Sequence, residues 1–526
     1  MAGKTLRALG ISTLLVLAGI IYFTPILYEE VGLYDEGLVL AGADLALQGN
    51  VPYKDFYAVY APGQYYLVGA LFGLFGKSVV VPRVYEILLR SLMALSCFWL
   101  CRRVAPAPIA FLCYTAMLVW LEDIGCSAYP IFPFLLFAFL CLLVLAPSAE
   151  HGSRKGQACA GLLAGTACLF RHDMGALLIA ALSVLLAALA LRTGWRDRAA
   201  ARPAFQGALL FLISALLPPV LVSSALVLAG SGPDAWNQLM RFPFLKFADY
   251  RGLPYLSMRA LINIRHDSLK ALAQHYWYIA PFFLFPFIVA CSAAVGAISF
   301  FSKQRLGRLD YPVIFLTGAG MACLPQAFGR SDFWHLIPLG MVSIVLSYLL
   351  VAALWTSFYR KSAGALLLVC TGFWWIPIHN YRIPWNGTIT PLSAETAQLV
   401  SFLNANHKGE RIYVGAENHD RMVGNAPAIY FLADVKCGTK YYQLDPQIVS
   451  TESVQMEIIG ELQDNDVRTV VLSKWYWEEP NRSKLDLGID RLDQYIRSNY
   501  SLTLDNEKFS VWVKKTAQGE LRPLPD

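Results

Sequence analysis

A series of apolar runs, most of them nearly long enough to cross a bilayer, occupies the first 379 residues of this 526-residue chain. A helix needs about 20 apolar residues to span the hydrocarbon core. With 56% hydrophobic and only 15% charged residues, the composition also excludes an ordinary soluble globular protein. The sequence therefore predicts a polytopic α-helical membrane protein with about 11 transmembrane helices. The runs lie near residues 8–28, 84–101, 104–121, 127–147, 157–170, 174–192, 206–230, 276–300, 311–326, 336–357 and 362–379.

Lys and Arg residues recur at alternate ends of these runs, so that all the clusters fall on one side of the membrane. Cytoplasmic loops collect such residues. We therefore expect a cytoplasmic N-terminus and, after an odd number of spans, a C-terminus outside. This topology accounts for the net charge of +6 without a nucleic-acid partner. The clusters are Lys4 and Arg7; Arg102 and Arg103; Arg154 and Lys155; Arg192, Arg196, Arg198 and Arg202; Lys303, Arg305 and Arg308; Arg360 and Lys361.

With this topology, four polar clusters from distant parts of the chain fall at the outer ends of helices. Charged groups are costly near a bilayer, so their gathering on one face predicts a shared polar cavity. The alternative is that short loops must hold polar residues somewhere. The clusters are Asp35 and Glu36 in a first outer loop (29–82); Glu122 and Asp123; Arg171, His172 and Asp173; and Arg330, Asp332 and His335.

A second outer loop, residues 231–275, is basic and departs from the positive-inside trend. Arg241, Lys246 and Arg251 are among its cations. One interpretation is a solvated amphipathic face that touches lipid headgroups, and the other is a set of cations that hold a phosphate-bearing ligand.

From residue 380 to 526 charged residues return at ordinary density and no further membrane span is apparent. Strands are predicted at 411–415 and 467–472, helices at 395–404, 455–463 and 489–498, and a hairpin within 500–515. The tail is thus predicted to be a small extracytoplasmic α/β domain that packs over the outer face of the transmembrane domain, residues 1–379.

The first loop carries a resemblance to a known group of proteins. An Asp-Glu pair in Tyr34-Asp35-Glu36-Gly37, placed after helix one and followed by tyrosines and a Pro-Gly turn, is similar to the acidic motif of GT-C membrane glycosyltransferases. Within that superfamily, the motif resembles that of the protein O-mannosyltransferase, aminoarabinose transferase and rhizobial lipopolysaccharide transferase groups. The stretches around Arg171 and Arg330 resemble those of bacterial members.

The resemblance implies a glycosyltransferase of the bacterial inner membrane, with its active site outside. It would move a sugar from a polyprenyl-phosphate donor to a lipopolysaccharide, glycolipid, polysaccharide or protein acceptor. An inverting transfer needs a base for the acceptor hydroxyl, which Asp35 can supply with Glu36 beside it. Cations are needed where charge develops on phosphate. Candidates for the donor or substrate site are Arg171, His172, Arg330, Asp332, His335, Tyr57 and Tyr60, with Glu122, Asp123, Asp173, Arg241, Lys246 and Arg251 as further candidates.

Other interpretations of the same residues stay open. Asp35 could cap the helix that follows it, Asp332 and His335 could form a helix cap, and Glu86 with Arg90 is expected to be a structural pair. A transporter of lipid-linked intermediates or a non-catalytic envelope assembly factor would also fit a polytopic chain. No cofactor is expected to be required, although Asp35, Glu36, Glu122 and Asp123 could bind Mg²⁺ or Mn²⁺.

Overall fold

The structure is a computed structural model. It describes residues 2–122, 128–262, 268–302, 304, 306–355, 387–421, 424–445, 448–475, 479–484 and 486–515. Asp123 and the last predicted span, 362–379, lie outside the described residues.

Helices make up the N-terminal two thirds of the described chain. Their bounds are α1 Ala2–Phe23, α2 Asp35–Leu47, α3 Gly63–Phe75, α4 Val80–Arg102, α5 Ala107–Glu122, α6 Ile131–Glu150, α7 Arg154–Cys168, α8 His172–Arg196, α9 Arg198–Leu228, α10 Gly232–Trp236, α11 Ala248–Arg251, α12 Met258–Ile262, α13 Leu269–Phe301, α14 Asp310–Gly329 and α15 Phe333–Trp355. Two π-helical turns, Asn237–Arg241 and Pro243–Phe247, lie between α10 and α11.

Eight of the described helical segments are long and apolar enough to cross a membrane. The predicted polytopic class is therefore confirmed, whereas the count of 11 and the orientation stay predictions. The predicted spans at 104–121 and 157–170 form the shorter helices α5 and α7. The eight segments are Thr5–Tyr28, Val80–Arg102, Ile131–Glu150, His172–Arg196, Arg198–Leu228, Ala271–Phe301, Asp310–Gly329 and Phe333–Ala353.

The short helix α7 packs backbone to backbone against α9. A Cβ added to Gly161 would lie 2.2 Å from the Phe211 carbonyl oxygen, and one added to Gly165 would lie 2.3 Å from the Ala215 carbonyl oxygen. Small residues spaced four apart allow this approach between membrane helices. Its glycines and alanines thus explain why α7 is weakly apolar yet lies inside the bundle.

The bundle has two chemically different ends. We call the end that holds Asp35 and the start of α4 the acidic end, and the end that holds Arg102, Arg308 and the start of α1 the basic end. The basic residues at the second end hold helix termini together. Arg192 Nε, for example, donates to the Phe300 carbonyl oxygen at 2.6 Å, and Arg196 Nη2 donates to that of Ser302 at 2.7 Å.

The C-terminal unit, residues 394–515, is an α/β unit, as predicted. Its five-stranded sheet has the order β2-β1-β3-β5-β4, with β1 parallel to β2 and β3, and β5 antiparallel to β3 and β4. The bounds are α16 Ala394–Asn406, β1 Arg411–Ala416, α17 Ala428–Leu432, β2 Lys436–Cys437, α18 Glu452–Asp464, β3 Thr469–Ser473, α19 Arg491–Asn499, β4 Tyr500–Asp505 and β5 Phe509–Lys514.

This unit is seated on α2 and the first loop. The Ala428 amide donates to the Leu33 carbonyl oxygen at 3.1 Å, and the Tyr442 hydroxyl donates to that of Leu38 at 3.1 Å. Gly37 faces α17 so closely that an added Cβ would lie 2.4 Å from the Ala428 nitrogen. The C-terminal unit therefore covers the acidic end of the bundle.

Candidate active site

Asp35 is the first residue of α2 and lies among charged groups of other segments at the acidic end. Its side chain is exposed, and among the described residues no hydrogen bond or ion pair engages its carboxylate. Protein nevertheless surrounds it, so desolvation raises the pKa of this carboxyl, while the positive charge of Arg251 opposes the shift. Asp445, Arg330 and Asp332 are the other charges that act on it most. The residue is thus accessible and enclosed by charged groups.

In the structure Asp35 is not the N-terminal cap of α2, which was its alternative role. Tyr34 occupies the capping position and makes no side-chain cap hydrogen bond. Asp35, one residue later, still lies where a negative charge suits the helix dipole.

Glu36 requires a correction, because we predicted it as a catalytic partner of Asp35. It is buried, with 1% of its side chain exposed. Arg83 Nε donates to its Oε1 at 2.8 Å and Nη2 donates to its Oε2 at 2.9 Å. The Gly32 amide adds a third hydrogen bond at 2.8 Å. Both carboxylate oxygens are therefore used in a structural ion pair that fixes the start of α2 to α4.

Asp445 of the C-terminal unit lies close enough to Asp35 for its charge to act on it, which the sequence did not lead us to expect. The Tyr34 hydroxyl, kept protonated by burial that raises its pKa, donates to Asp445 Oδ1 at 3.1 Å. Gln443 Nε2 donates to Oδ2 at 3.4 Å. Burial raises the pKa of the Asp445 carboxyl, and Arg251 opposes that shift. A second carboxyl is thus held near Asp35 by the residue that precedes Asp35.

Arg330 lies under the C-terminal unit and is held by two carboxylates. Its Nη1 and Nη2 donate to Glu479 at 2.9 and 2.6 Å, and its Nε lies 2.7 Å from Asp332 Oδ2. Nη1 also donates to the Arg251 carbonyl oxygen at 2.5 Å. Burial opposes ionisation of Glu479, yet the hydrogen bond from Arg330 lowers the pKa of Glu479 to about 2. Arg330 thereby links the bundle, the second loop and the C-terminal unit.

Asp332 and His335 form the helix cap that was the alternative to a substrate role. Asp332 Oδ1 accepts from the His335 amide at 2.9 Å and from its ring Nδ1 at 2.7 Å, at the start of α15. Burial opposes the charge of Asp332, but the hydrogen bonds from His335 lower its pKa. The cap therefore uses Nδ1 of His335, which leaves Nε2 as the ring nitrogen for a ligand.

Arg171 lies beside the aromatic part of the first loop. Its guanidinium stacks over the Tyr60 ring at 5.7 Å and forms a two-pronged pair with Asp173, with contacts of 2.9 and 2.6 Å. The Tyr60 hydroxyl is hydrogen-bonded to that of Tyr129. His172 Nε2 donates to the Leu239 carbonyl oxygen at 2.7 Å, which ties α8 to the second loop.

Different residues of the second loop fit its two interpretations. Arg241 and Lys246 are exposed, as a solvated or headgroup-facing surface requires. Arg251 instead lies close enough to Asp35 and Asp445 for its charge to act on both. Tyr57, a candidate from the first loop, is buried, and its amide donates to the Lys440 carbonyl oxygen at 2.8 Å.

Two other acids that the sequence singled out lie on α5 and α4. Glu122 is half-buried at the end of α5 and is not among the charges that act most on Asp35. Glu86 and Arg90 form the predicted structural pair, fully buried inside the bundle.

Of the four acids considered from the sequence as a metal site, Glu36 has both oxygens bound by Arg83, and Asp123 lies outside the described residues. Within the described part of the chain no group of three His, Cys, Asp or Glu side chains could hold a metal ion. The metal-free reaction stays a prediction.

Two site residues, Asp445 and Glu479, were missed because they lie in the tail. A weak signal was present for both. Asp445 follows the aromatic pair Tyr441-Tyr442, and Glu479 follows an aromatic run that begins at Trp475. These stretches share the mixture of acids and aromatic residues that marked the first loop.

Comparison with solved structures identifies the fold. A crystal structure of the Archaeoglobus fulgidus oligosaccharyltransferase tethered with an acceptor peptide aligns over 88% of this chain and 69% of that chain, at 12% identity and a TM-score of 0.50. AglB from the same organism, in complex with an inhibitory peptide and a dolichol-phosphate, aligns over the same shares at 12% identity with a TM-score of 0.51.

ArnT from Cupriavidus metallidurans bound to undecaprenyl phosphate aligns over 98% of this chain and 99% of that chain at 13% identity, with a TM-score of 0.49 that is too low to carry an argument. No protein-family model and no curated protein matches the sequence. At these identities the likeness establishes the fold alone. The chain has the fold of the GT-C membrane glycosyltransferases, as the resemblance of its first loop predicted.

Proposed function

We propose that this protein is a membrane glycosyltransferase that moves a sugar from a polyprenyl-phosphate donor to an envelope acceptor outside the cytoplasm. The observation that carries the proposal is the state of Asp35. It is an accessible carboxylate that no described residue engages, enclosed by charged groups from three parts of the chain. A carboxylate that served only stability would be expected to have an ion-pair partner, as Glu36 has in Arg83.

In the proposed step Asp35 is the general base of an inverting transfer. The acceptor hydroxyl oxygen attacks the anomeric carbon of the donor sugar, and its proton passes to the Asp35 carboxylate. The bond from that carbon to the phosphate oxygen breaks, and its electron pair leaves with the polyprenyl phosphate. A raised pKa suits a base, since a carboxyl with a very low pKa accepts a proton poorly.

The cations of the site are proposed to stabilise the departing phosphate. Arg251 is the first candidate, because it is the positive charge that acts most strongly on Asp35. Arg171 is a weaker second candidate: its guanidinium lies over the Tyr60 ring, but Asp173 partly neutralises it. Arg330 is better suited to positioning, since Glu479 and Asp332 already neutralise it. His172 and His335 each have one ring nitrogen in a structural hydrogen bond.

The related structures support the class of donor and leave the acceptor open. The archaeal protein of the same fold has been captured with a dolichol-phosphate and with peptides. We therefore propose a lipid-phosphate donor here, and a glycan, glycolipid or protein as acceptor. We also propose residues 1–379 as the transmembrane domain and 380–526 as an outer unit in a bacterial inner membrane.

The experiment that tests this function compares strains with and without the gene by mass spectrometry of envelope glycans and glycoproteins. We expect one sugar to disappear from one class of acceptor while its lipid-linked form accumulates. Purified protein should consume that lipid-linked sugar and release polyprenyl phosphate. Unchanged glycans in the deletion strain, together with no consumption by the purified protein, would remove the enzyme interpretation.

A further inference from the structure

A cavity of about 530 Å³ opens at the basic end of the bundle, far from Asp35. The helix α4 runs from the acidic end to this cavity, and its 23 residues correspond to roughly 34 Å at 1.5 Å per residue. The cavity is therefore a separate site. Its lining residues are Arg7, Ala8, Ile11, Trp99, Arg102, Arg103, Leu143 and Arg308.

The lining combines positive charge from three separate parts of the chain. Arg7 belongs to α1, Arg102 and Arg103 lie at the end of α4, and Arg308 lies just before α14. Arg103 is paired with Glu150. Among the described residues no carboxylate pairs with Arg7, Arg102 or Arg308, and all three are exposed. Three guanidinium groups thus share one concave surface without a counter-charge from the described chain.

The rest of the lining is apolar. Ala8 and Ile11 come from α1, Trp99 from α4 and Leu143 from α6. The Trp99 indole nitrogen donates to Ser12 Oγ at 3.0 Å, which fixes the ring between α1 and α4. Several guanidinium groups thus lie next to apolar helix faces. Such a surface matches a ligand that has a phosphate headgroup and acyl chains. Guanidinium groups bind phosphate through paired, charge-assisted hydrogen bonds.

We propose that this cavity is a binding site for a phosphate group, and specifically for the headgroup of an anionic phospholipid of the leaflet at the basic end. Basic pockets between membrane helices on the cytoplasmic side bind such headgroups. A bound headgroup would supply the missing counter-charge and hold α1 against α4 and the start of α14. The proposal is independent of the glycosyltransferase activity.

The test uses the full-length purified protein and native mass spectrometry. The probes are phosphatidylglycerol and cardiolipin, with phosphatidylcholine as the zwitterionic reference, each at equal concentration. The cavity variant is Arg7→Gln, Arg102→Gln and Arg308→Gln combined. A matched variant combines Arg154→Gln, Lys155→Gln and Arg198→Gln, which remove three exposed charges from the same end outside the cavity. A parallel arm measures the melting temperature in inorganic phosphate.

We expect wild type and the matched variant to retain the anionic lipids preferentially. In the cavity variant this preference should fall by on the order of 100-fold, since each basic residue near an anionic surface is worth about fivefold. A stabilisation by inorganic phosphate alone, lost in the cavity variant, would support the phosphate site with a soluble source. Equal losses in both triple variants would overturn the proposal, because general surface charge would then explain the binding. The single variant Arg308→Gln, with a smaller expected loss, serves if the triple variant does not fold.

Discussion

At the start of α2, two adjacent carboxylates have opposite surroundings. Glu36 is buried and bound by Arg83 through both oxygens, whereas Asp35 is accessible and lies among basic and acidic side chains of other segments. The sequence predicted the two residues together as a site, and it did not predict that their surroundings would differ. Which of two neighbours turns toward the bundle depends on where Arg83 lies, 47 positions away.

The structural role of Glu36 predicts a loss of stability rather than of chemistry. Glu36→Gln leaves the buried Arg83 charge without its partner, which typically costs about 3–5 kcal/mol. The free energy of unfolding of the purified protein in detergent measures this loss. Asp35→Asn is the matched control and should unfold like the wild type. A Glu36→Gln protein that is as stable as wild type but inactive would return Glu36 to the catalytic group.

The surroundings of Asp35 predict how activity depends on pH. Asp35 works as a base only when ionised, so kcat/KM should fall as the pH drops through its pKa. Desolvation raises that pKa and Arg251 lowers it. Arg251→Gln removes the opposing charge, raises the pKa further, and should move the acidic limb of the profile to higher pH. Arg241→Gln changes an exposed cation of the same loop and should leave the limb in place. A limb that stays fixed, or moves to lower pH, in the Arg251 variant would contradict the assignment.

At the scale of elements, apolar length and periodicity predicted helices and strands that the structure contains. The predicted strands and helices of the tail, and its terminal hairpin, are present as β1, β3, α16, α18, α19 and the β4 and β5 pair. The two-residue strand β2 and the short helix α17 were not predicted, because such short elements have too few residues to carry a pattern. Their positions come from long-range pairing with β1 and α2.

The contact of α2 with α17 gives a prediction of its own. Gly37→Ala places a Cβ 2.4 Å from the Ala428 nitrogen, so one element must shift, at a cost of about 1–3 kcal/mol. We expect faster proteolysis between the bundle and the C-terminal unit and a lower melting temperature. Gly460→Ala in α18 is the control, since nothing lies within 4 Å of its added Cβ, and it should be neutral or slightly stabilising. Equal behaviour of the two variants would mean that α17 does not pack tightly on α2.

At the scale of the whole molecule, the candidate site is built across the two parts of the chain. Tyr34 and Asp445 are 411 positions apart, and Arg330 and Glu479 are 149 apart. The charge pattern predicted that four clusters, near Asp35, Glu122, Arg171 and Arg330, would meet at one end, because helix direction alternates along the chain. It could not predict which residues of the tail would cover them, since that depends on the surface of a folded unit.

The same scale explains why the tail matters to the proposed function. Glu479 neutralises Arg330, and Asp445 shares with Asp35 the charge of Arg251. The C-terminal unit thereby sets how much positive charge remains for a departing phosphate. The sequence suggested that the C-terminal unit is an accessory domain. In this proposal it also contributes residues to the site.

The most direct test of the account is sugar transfer by membranes that contain Asp35→Asn. The measured quantity is the polyprenyl phosphate released from a lipid-linked sugar per unit of inserted protein. Asp55→Asn, an exposed acid of the same loop, is the matched control. The account predicts a fall of about 10²- to 10⁴-fold for Asp35→Asn and no comparable fall for Asp55→Asn. Transfer at the wild-type rate by a normally inserted Asp35→Asn protein would contradict it.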